Sequence, residues 1–337
     1  MKKIVAVLLA VLMVFSLAAC RKDSSDGGKK TVFVVIKGLG NAYWAVLQAG
    51  ATKAGEDFGC NVIVQGIPNE SDVEIQTNML QQAVAARADA IVFAPADAKA
   101  QANAASEAFQ FGIPIILVDT KLEGTNNYSA SIVTDNVQAG KDAAAEMIKK
   151  LALRNKDTDS IEVAIQRAAL GNKSVDDRIA GFREYWDANA PSQWVVLWND
   201  VRINEGQADL YMKFGGEFIS AYPKLKGFFS PNNGSTVGFA STIKDQTRTD
   251  FTLVGFDFSP EIVGLIANPS FNVSTMLQKQ YSMGYDGVRI ALELANGGKV
   301  EQKDISIGAM VVDSTNVTSA EVMDAVGPPY AETMEKI

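Results

Sequence analysis

From Thr31 onward, short apolar runs alternate with longer segments of helical spacing. The runs are Val32–Ile36, Val62–Gln65, Ala90–Ala94, Ile115–Val118, Ser131–Val133, Ile161–Ile165, Val195–Trp198, Gly227–Phe229, Thr252–Gly255 and Val273–Met276. They are rich in Val, Ile and Phe without strict polar alternation, the pattern of strands covered on both faces. Between them, Leu47, Ala51, Ala54 and Phe58 fall at helical spacing, and Gly59 follows as a C-terminal stop. Ser71 and Glu74 have the spacing of a capping box opening the next helix. Ile179, Phe182 and Trp186 repeat the helical pattern, and Gly284 to Leu294 forms another such stretch. Ten strand–helix alternations predict parallel sheets with right-handed crossovers, an α/β fold. About 290 residues suit two domains better than one. No Pro/Gly-rich linker marks a boundary, so the chain is expected to pass between the domains through strand continuations.

The first residues address compartment, not fold. Lys2 and Lys3 precede an apolar run from Ile4 to Leu17, and the segment closes on Leu17-Ala18-Ala19-Cys20. A basic start, an apolar middle and small residues before a cut describe a secretory signal over 1–19. Leu-Ala-Ala-Cys resembles the bacterial lipobox, which implies a diacylglycerol on the Cys20 thiol; the alternative is an ordinary signal peptide cut near a stray cysteine. Residues 20–30 are polar, charged and Ser/Gly-rich beyond the cysteine, and read as a flexible tether. An extracytoplasmic protein anchored to the membrane through Cys20 is therefore expected, with no second membrane segment.

Charge and composition exclude more than they assign. Residues 1–19 hold two of the 31 basic residues and none of the 39 acidic ones, so removing them moves the formal charge from −8 to −10. That balance argues against nucleic acid. With Cys20 acylated, Cys60 is alone and reads as a small buried hydrophobe. The chain has no histidine, which removes Ser-His and Cys-His nucleophile pairs and histidine metal sites. Gly38-Leu39-Gly40 lacks the third glycine of a dinucleotide fingerprint; Tyr43 stands there. No cofactor, metal or catalytic residue is expected.

Several motifs then appear in order: Lys37-Gly-Leu-Gly-Asn41-Ala-Tyr43-Trp44 with Gly50-Ala51, Asp89 to Pro95, and Gly112 to Asp119. They continue with Thr134-Asp135-Asn136 and Gly140, Arg178 ahead of Gly181-Phe182, and Ser230-Pro231-Asn232-Asn233. The last are Val254-Gly-Phe-Asp257, and Gln278 before Gly284-Tyr285. The set resembles the type I periplasmic binding proteins of the ribose/galactose class, solute receptors of ABC importers. The resemblance implies two Rossmann-like lobes joined by a three-crossing hinge. It allots 31–133 and 279–306 to the N-terminal lobe, 134–278 and 307–325 to the C-terminal lobe, and 326–337 to a tail. It also implies a monomer that closes on a sugar or polyol and delivers it to ABC permease subunits. A ligand sensor for a sugar or furanosyl signal such as autoinducer-2, coupled to a membrane partner, is the alternative. A repressor of related fold would carry a helix-turn-helix where the signal segment stands.

By resemblance, the ligand is held by Lys37, Asn41, Tyr43, Trp44 and Asp119 from the first lobe. Asn172, Arg178, Asn232 and Asp257 come from the second, and Gln278 from a crossing. The residue types suit a sugar: carboxylates, amides and a guanidinium for hydroxyls, aromatic planes for apolar ring faces. Several have a plainer reading. Asp119 and Asp257 follow strands, where aspartate is a common helix N-cap. Trp44 reads as core, Arg178 as a solvated or ion-paired helix residue, and Asn232-Asn233-Gly234 as a turn. Two departures stand out: Thr120 where the ribose-type pattern has arginine, and Lys37 where it has a small hydroxyl residue. The lysine leaves an acidic sugar open as the ligand.

Overall fold

The computed structural model describes residues 28–328 and Tyr330. The expected signal segment, Cys20, the tether up to residue 27 and most of the tail lie outside the described residues. In chain order the strands are β1 (Thr31–Ile36), β2 (Asn61–Gly66), β3 (Ala90–Phe93), β4 (Ile115–Val118) and β5 (Ala130–Thr134). They continue as β6 (Ile161–Arg167), β7 (Trp194–Val196), β8 (Arg202–Ile203), β9 (Leu225–Phe229) and β10 (Thr252–Phe256). The last three are β11 (Asn272–Leu277), β12 (Asp304–Ile307) and β13 (Met310–Val312). All ten predicted runs form strands. The run at Val195 ends early, because Trp198–Asp200 turns into a short 3-10 helix.

One sheet has the order β12-β5-β4-β3-β1-β2 and the other β13-β11-β10-β9-β6-β7, with β8 paired to β6. The chain changes sheet after β5, after β11 and between β12 and β13. All pairs are parallel except β13 with β11. That exception corrects the expectation of wholly parallel sheets. Only Gly308 and Ala309 separate β12 from β13, so the chain runs straight across the gap. A direction that is parallel beside β5 becomes antiparallel beside β11.

Strands β3 and β4 are buried along their whole length, as their unbroken apolar runs require. The helix Ala42–Phe58 starts on Asn41, whose side chain accepts from the Trp44 N–H, and stops at Gly59 with φ 71°. Its Leu47, Ala51 and Ala54 are buried as predicted, but Phe58 is exposed and lies against Tyr285 instead. The capping box at Ser71 does not form. The helix begins at Val73 behind Asp72, whose carboxylate accepts from the backbone and side chain of Asn69.

Two helix pairs bring the lobes' cleft-facing elements into place. Ala42–Phe58 packs on Gln280–Ala295, and Asn136–Ala152 packs on Lys173–Asn189. Each pair is held at backbone contact by two glycines. A Cβ on Gly50 would strike the Tyr281 carbonyl, and one on Gly284 the Leu47 carbonyl. In the other pair, Gly140 meets the Arg178 carbonyl and Gly181 the Val137 carbonyl. Among the described residues no helix is long and apolar enough to cross a membrane.

Candidate functional site

The carboxyl ends of both sheets face one another, the position at which open α/β sheets take ligands. Between them lies a small cavity lined by residues of both walls. Lys37 follows β1, Asp119 follows β4, Asp257 follows β10 and Gln278 follows β11. All ten residues singled out in the sequence line this one cavity.

On the first-lobe wall, the polar atoms largely engage one another. Lys37 Nζ donates to Asp119 Oδ2 at 2.7 Å, to Thr120 Oγ1 at 2.6 Å and, across the cleft, to Asn172 Oδ1 at 3.0 Å. An ammonium has three donors, so this one is fully committed. Asp119 Oδ1 accepts from the Tyr43 hydroxyl at 2.8 Å, and Oδ2 from Lys37 and Thr120. Burial acts against the Asp119 charge, but Lys37, Arg178 and these hydrogen bonds outweigh it and hold the carboxyl below its usual range. The lysine at this position, a departure from the ribose-type pattern, thus neutralises the neighbouring aspartate. Trp44 packs edge-on against Tyr43, ring centroids 4.7 Å apart, so it belongs to the lobe's core and to the cavity wall at once.

The second wall is different. Arg178 is buried; its Nε donates to Asn136 Oδ1 at 2.8 Å and its Nη1 to the Pro231 carbonyl at 2.9 Å. The guanidinium lies 4.3 Å from the Phe256 ring centroid, while Nη2 is buried with no partner. The solvated or ion-paired reading of Arg178 therefore does not hold. Asn232 precedes the helix Asn233–Asp245 and accepts from Ser235 Oγ through Oδ1, leaving its amide nitrogen without a protein partner among the described residues.

Neither aspartate is a helix cap. Asp119 and Asp257 both take left-handed φ, 63° and 71°, uncommon for a residue with a Cβ. After Asp257 the cap is Ser259, which accepts from the Ile262 N–H. Asp257 Oδ1 accepts from Gln278 Nε2 at 2.7 Å, and Oδ2 has no protein partner among the described residues. Burial, opposed by Arg178 and Gln278 and reinforced by Asp119 and Glu70, pushes this carboxyl up to about 7.

Residues 32–299 match the family model described as a periplasmic binding protein domain. The chain belongs to this family. The D-allose-binding periplasmic protein of Escherichia coli K12 is 25% identical over 301 residues, covering 85% of this chain and 91% of that protein. The ribose import binding protein of Salmonella typhimurium is 24% identical over 303 residues, covering 90% and 96%. Among solved structures, a carbohydrate transporter solute binding protein of Agrobacterium radiobacter in complex with D-arabinose superposes with a TM-score of 0.82. It is 28% identical and covers 89% of this chain and 99% of its own. An ABC transporter solute binding protein of Agrobacterium vitis with bound D-fucose gives 0.80 at 27% identity, covering 87% and 99%.

In this binding protein the cavity also includes Glu70, Ser174, Val175 and Asn233, which the sequence reading did not single out. Ser174 and Val175 precede Arg178 by four and three residues, so helical spacing alone places them on its face. Asn233 adjoins Asn232 in a quoted motif. Glu70 had no such signal, since it sits in the loop after β2. Burial raises its carboxyl, opposed by the Lys37 charge and by hydrogen bonds from Trp44 and Asn172.

Proposed function

We propose that the protein is an extracytoplasmic solute receptor that closes on one neutral monosaccharide or polyol and delivers it to an ABC importer. What supports this most directly is the set of unspent polar atoms around the cavity. Arg178 Nη2 and the amide nitrogens of Asn41 and Asn232 are donors without protein partners among the described residues, and Asp257 Oδ2 is an acceptor without one. Of these, Arg178 Nη2 is fully buried, and a buried unpaired donor costs about 1–3 kcal/mol, more if charged, which a ligand hydroxyl relieves by supplying the partner. Trp44 supplies an apolar wall for a sugar ring.

In this reading Asn41, Arg178, Asn232, Asp257 and Trp44 touch the ligand. Lys37, Tyr43, Asp119, Asn172 and Gln278 hold one another and the wall in place. Lys37 has no donor left for a ligand carboxylate, and three carboxylates face two cations, which favours a neutral ligand over a sugar acid. A ligand contacting both walls biases the lobes toward closure. The names of the relatives point the same way: allose, ribose, arabinose and fucose are neutral sugars. The lipobox-like Leu-Ala-Ala-Cys supports anchoring through Cys20 after loss of 1–19.

A thermal-shift panel of neutral monosaccharides, polyols, furanoses and sugar acids tests the binding role. One neutral compound should raise Tm by several degrees and be recovered unchanged. No stabilisation by any compound, or turnover of one, defeats the reading. For the anchor, Cys20→Ser in the full chain should move the protein from the membrane fraction to the soluble one.

A further inference from the structure

We propose that Asn172 is a positioning residue that sets how readily the lobes close, without touching the ligand; this rests on the solute-receptor reading. Asn172 stands immediately before the helix Lys173–Asn189, yet its side chain makes no cap to that helix. Instead it reaches across the cleft. Its Oδ1 accepts from Lys37 Nζ at 3.0 Å and its Nδ2 donates to Glu70 Oε2 at 3.1 Å. Both partners belong to the first lobe, and Asn172 is 2% exposed. One buried amide thus joins a cation and a carboxylate of the facing wall.

Ser174 adds to the clasp, with its Oγ 3.2 Å from Thr120 Oγ1 and bonded to Asn172 Oδ1 at 2.8 Å. The backbone closes at the same corner: Ala98 N–H donates to the Gly171 carbonyl at 3.3 Å. Gly171 has φ 78°, and a Cβ there would meet the Asp97 carboxylate, so the close approach of this loop requires glycine. These contacts are all protein to protein. Opening the cleft breaks the bonds of Asn172 to Lys37 and Glu70, the approach of Ser174 to Thr120 and the Ala98–Gly171 bond, whereas the bonds of Lys37 to Asp119 and Thr120, and of Ser174 to Asn172, each lie within one lobe and survive. The closed arrangement is therefore stabilised before any ligand arrives, and apparent affinity scales with the closed fraction.

Because the clasp is separate from the ligand's contacts, its loss should act on all ligands alike. Solution scattering of the ligand-free protein and calorimetric titration with a panel of neutral sugars separate the cases. Asn172→Ala should enlarge the ligand-free radius of gyration and raise Kd by a similar factor, roughly tenfold, for every sugar that binds, with their ranking unchanged. Ser174→Ala, a milder change, should shift both in the same direction by less. An unchanged ligand-free envelope in Asn172→Ala overturns the proposal, as does an affinity loss confined to one sugar, which would make Asn172 a ligand contact. Should no sugar bind even the unaltered protein, the receptor reading fails, while the two envelopes still decide whether the clasp exists.

Discussion

Gln278 braces Asp257 from the hinge. Its Nε2 donates to Asp257 Oδ1 at 2.7 Å while its Oε1 accepts from Thr134 Oγ1 at 2.7 Å. Thr134 ends β5 and Gln278 follows β11, so one buried amide ties two crossings of the chain to a carboxylate of the cavity. Gln278→Leu leaves both neighbours without this partner. A hydrogen bond to a charged group contributes about 1.5–3 kcal/mol, so ligand affinity should fall roughly 10- to 100-fold. Calorimetric titration reads this, and an unchanged Kd would uncouple the hinge from the site.

Arg178 should not tolerate lysine. Its Nε and Nη1 are fixed on Asn136 and Pro231, and its plane lies over Phe256, which leaves Nη2 held in a single direction. Lysine offers one ammonium on a flexible stem and cannot make the two fixed bonds while also presenting a third donor. Arg178→Lys should fold, with a lower Tm, and bind at least about 100-fold more weakly, the loss of a charged hydrogen bond together with its preorganisation. Near-normal binding in a titration would place Arg178 outside the ligand's reach.

Most strands were legible because they are short buried runs of Val, Ile or Phe, such as Ile115–Val118; β2 and β7, at the sheet edges with Ile63 and Val195 exposed, were legible from the same composition without burial on both faces. β12 and β13 were not. Asp304–Ile307 alternates exposed and half-buried positions at a sheet edge, and Met310–Val312 is only three residues long. Their strand character comes from the neighbours β5 and β11, which are far away in sequence. The site was legible at strand ends, where a polar residue after an apolar run marks the sheet's carboxyl edge. The roles within it were not. Lys37 looks like a donor to ligand until the folded chain brings Asp119, Thr120 and Asn172 around it, residues 82 to 135 positions away. Glu70 likewise acquires its place only through residues distant in sequence, Trp44 and Lys37 of its own lobe and Asn172 of the opposite one.

Glycines in the helix pairs should be sensitive in proportion to what a Cβ would meet. Gly140→Ala drives a methyl into the Arg178 carbonyl, and overpacking of this kind costs about 1–3 kcal/mol. The helix that yields carries Arg178, so Tm and affinity should fall together. Gly216, on the helix Ala208–Ala221, has only the far end of Gln246 within reach. There alanine should stabilise by roughly 0.5–1 kcal/mol through helix propensity, with Kd unchanged. Melting curves and titrations of both variants check the opposite signs.

The raised carboxyl of Asp257 makes both stability and binding depend on pH. In the unfolded chain an aspartate titrates near ~3.9, whereas burial pushes this one to about 7 in the folded protein. Between those values the folded state binds a proton that the unfolded state lacks. This group's contribution to ligand-free stability is thus fully present below about pH 4 and lost as pH rises through about 7. A ligand that donates hydroxyls to the carboxylate favours its ionised form and pulls the proton off. Affinity should therefore rise between pH 5 and 7 and level off above, with close to one proton released per ligand at pH 6. Titration at pH 6 in two buffers of different ionisation enthalpy counts that proton. Asp257→Asn should bind weakly, release none, and lose this part of the slope of Tm with pH. Equal heats in both buffers would mean that ligand binding leaves the carboxyl's protonation untouched, and would take Asp257 out of contact with the ligand's hydroxyls.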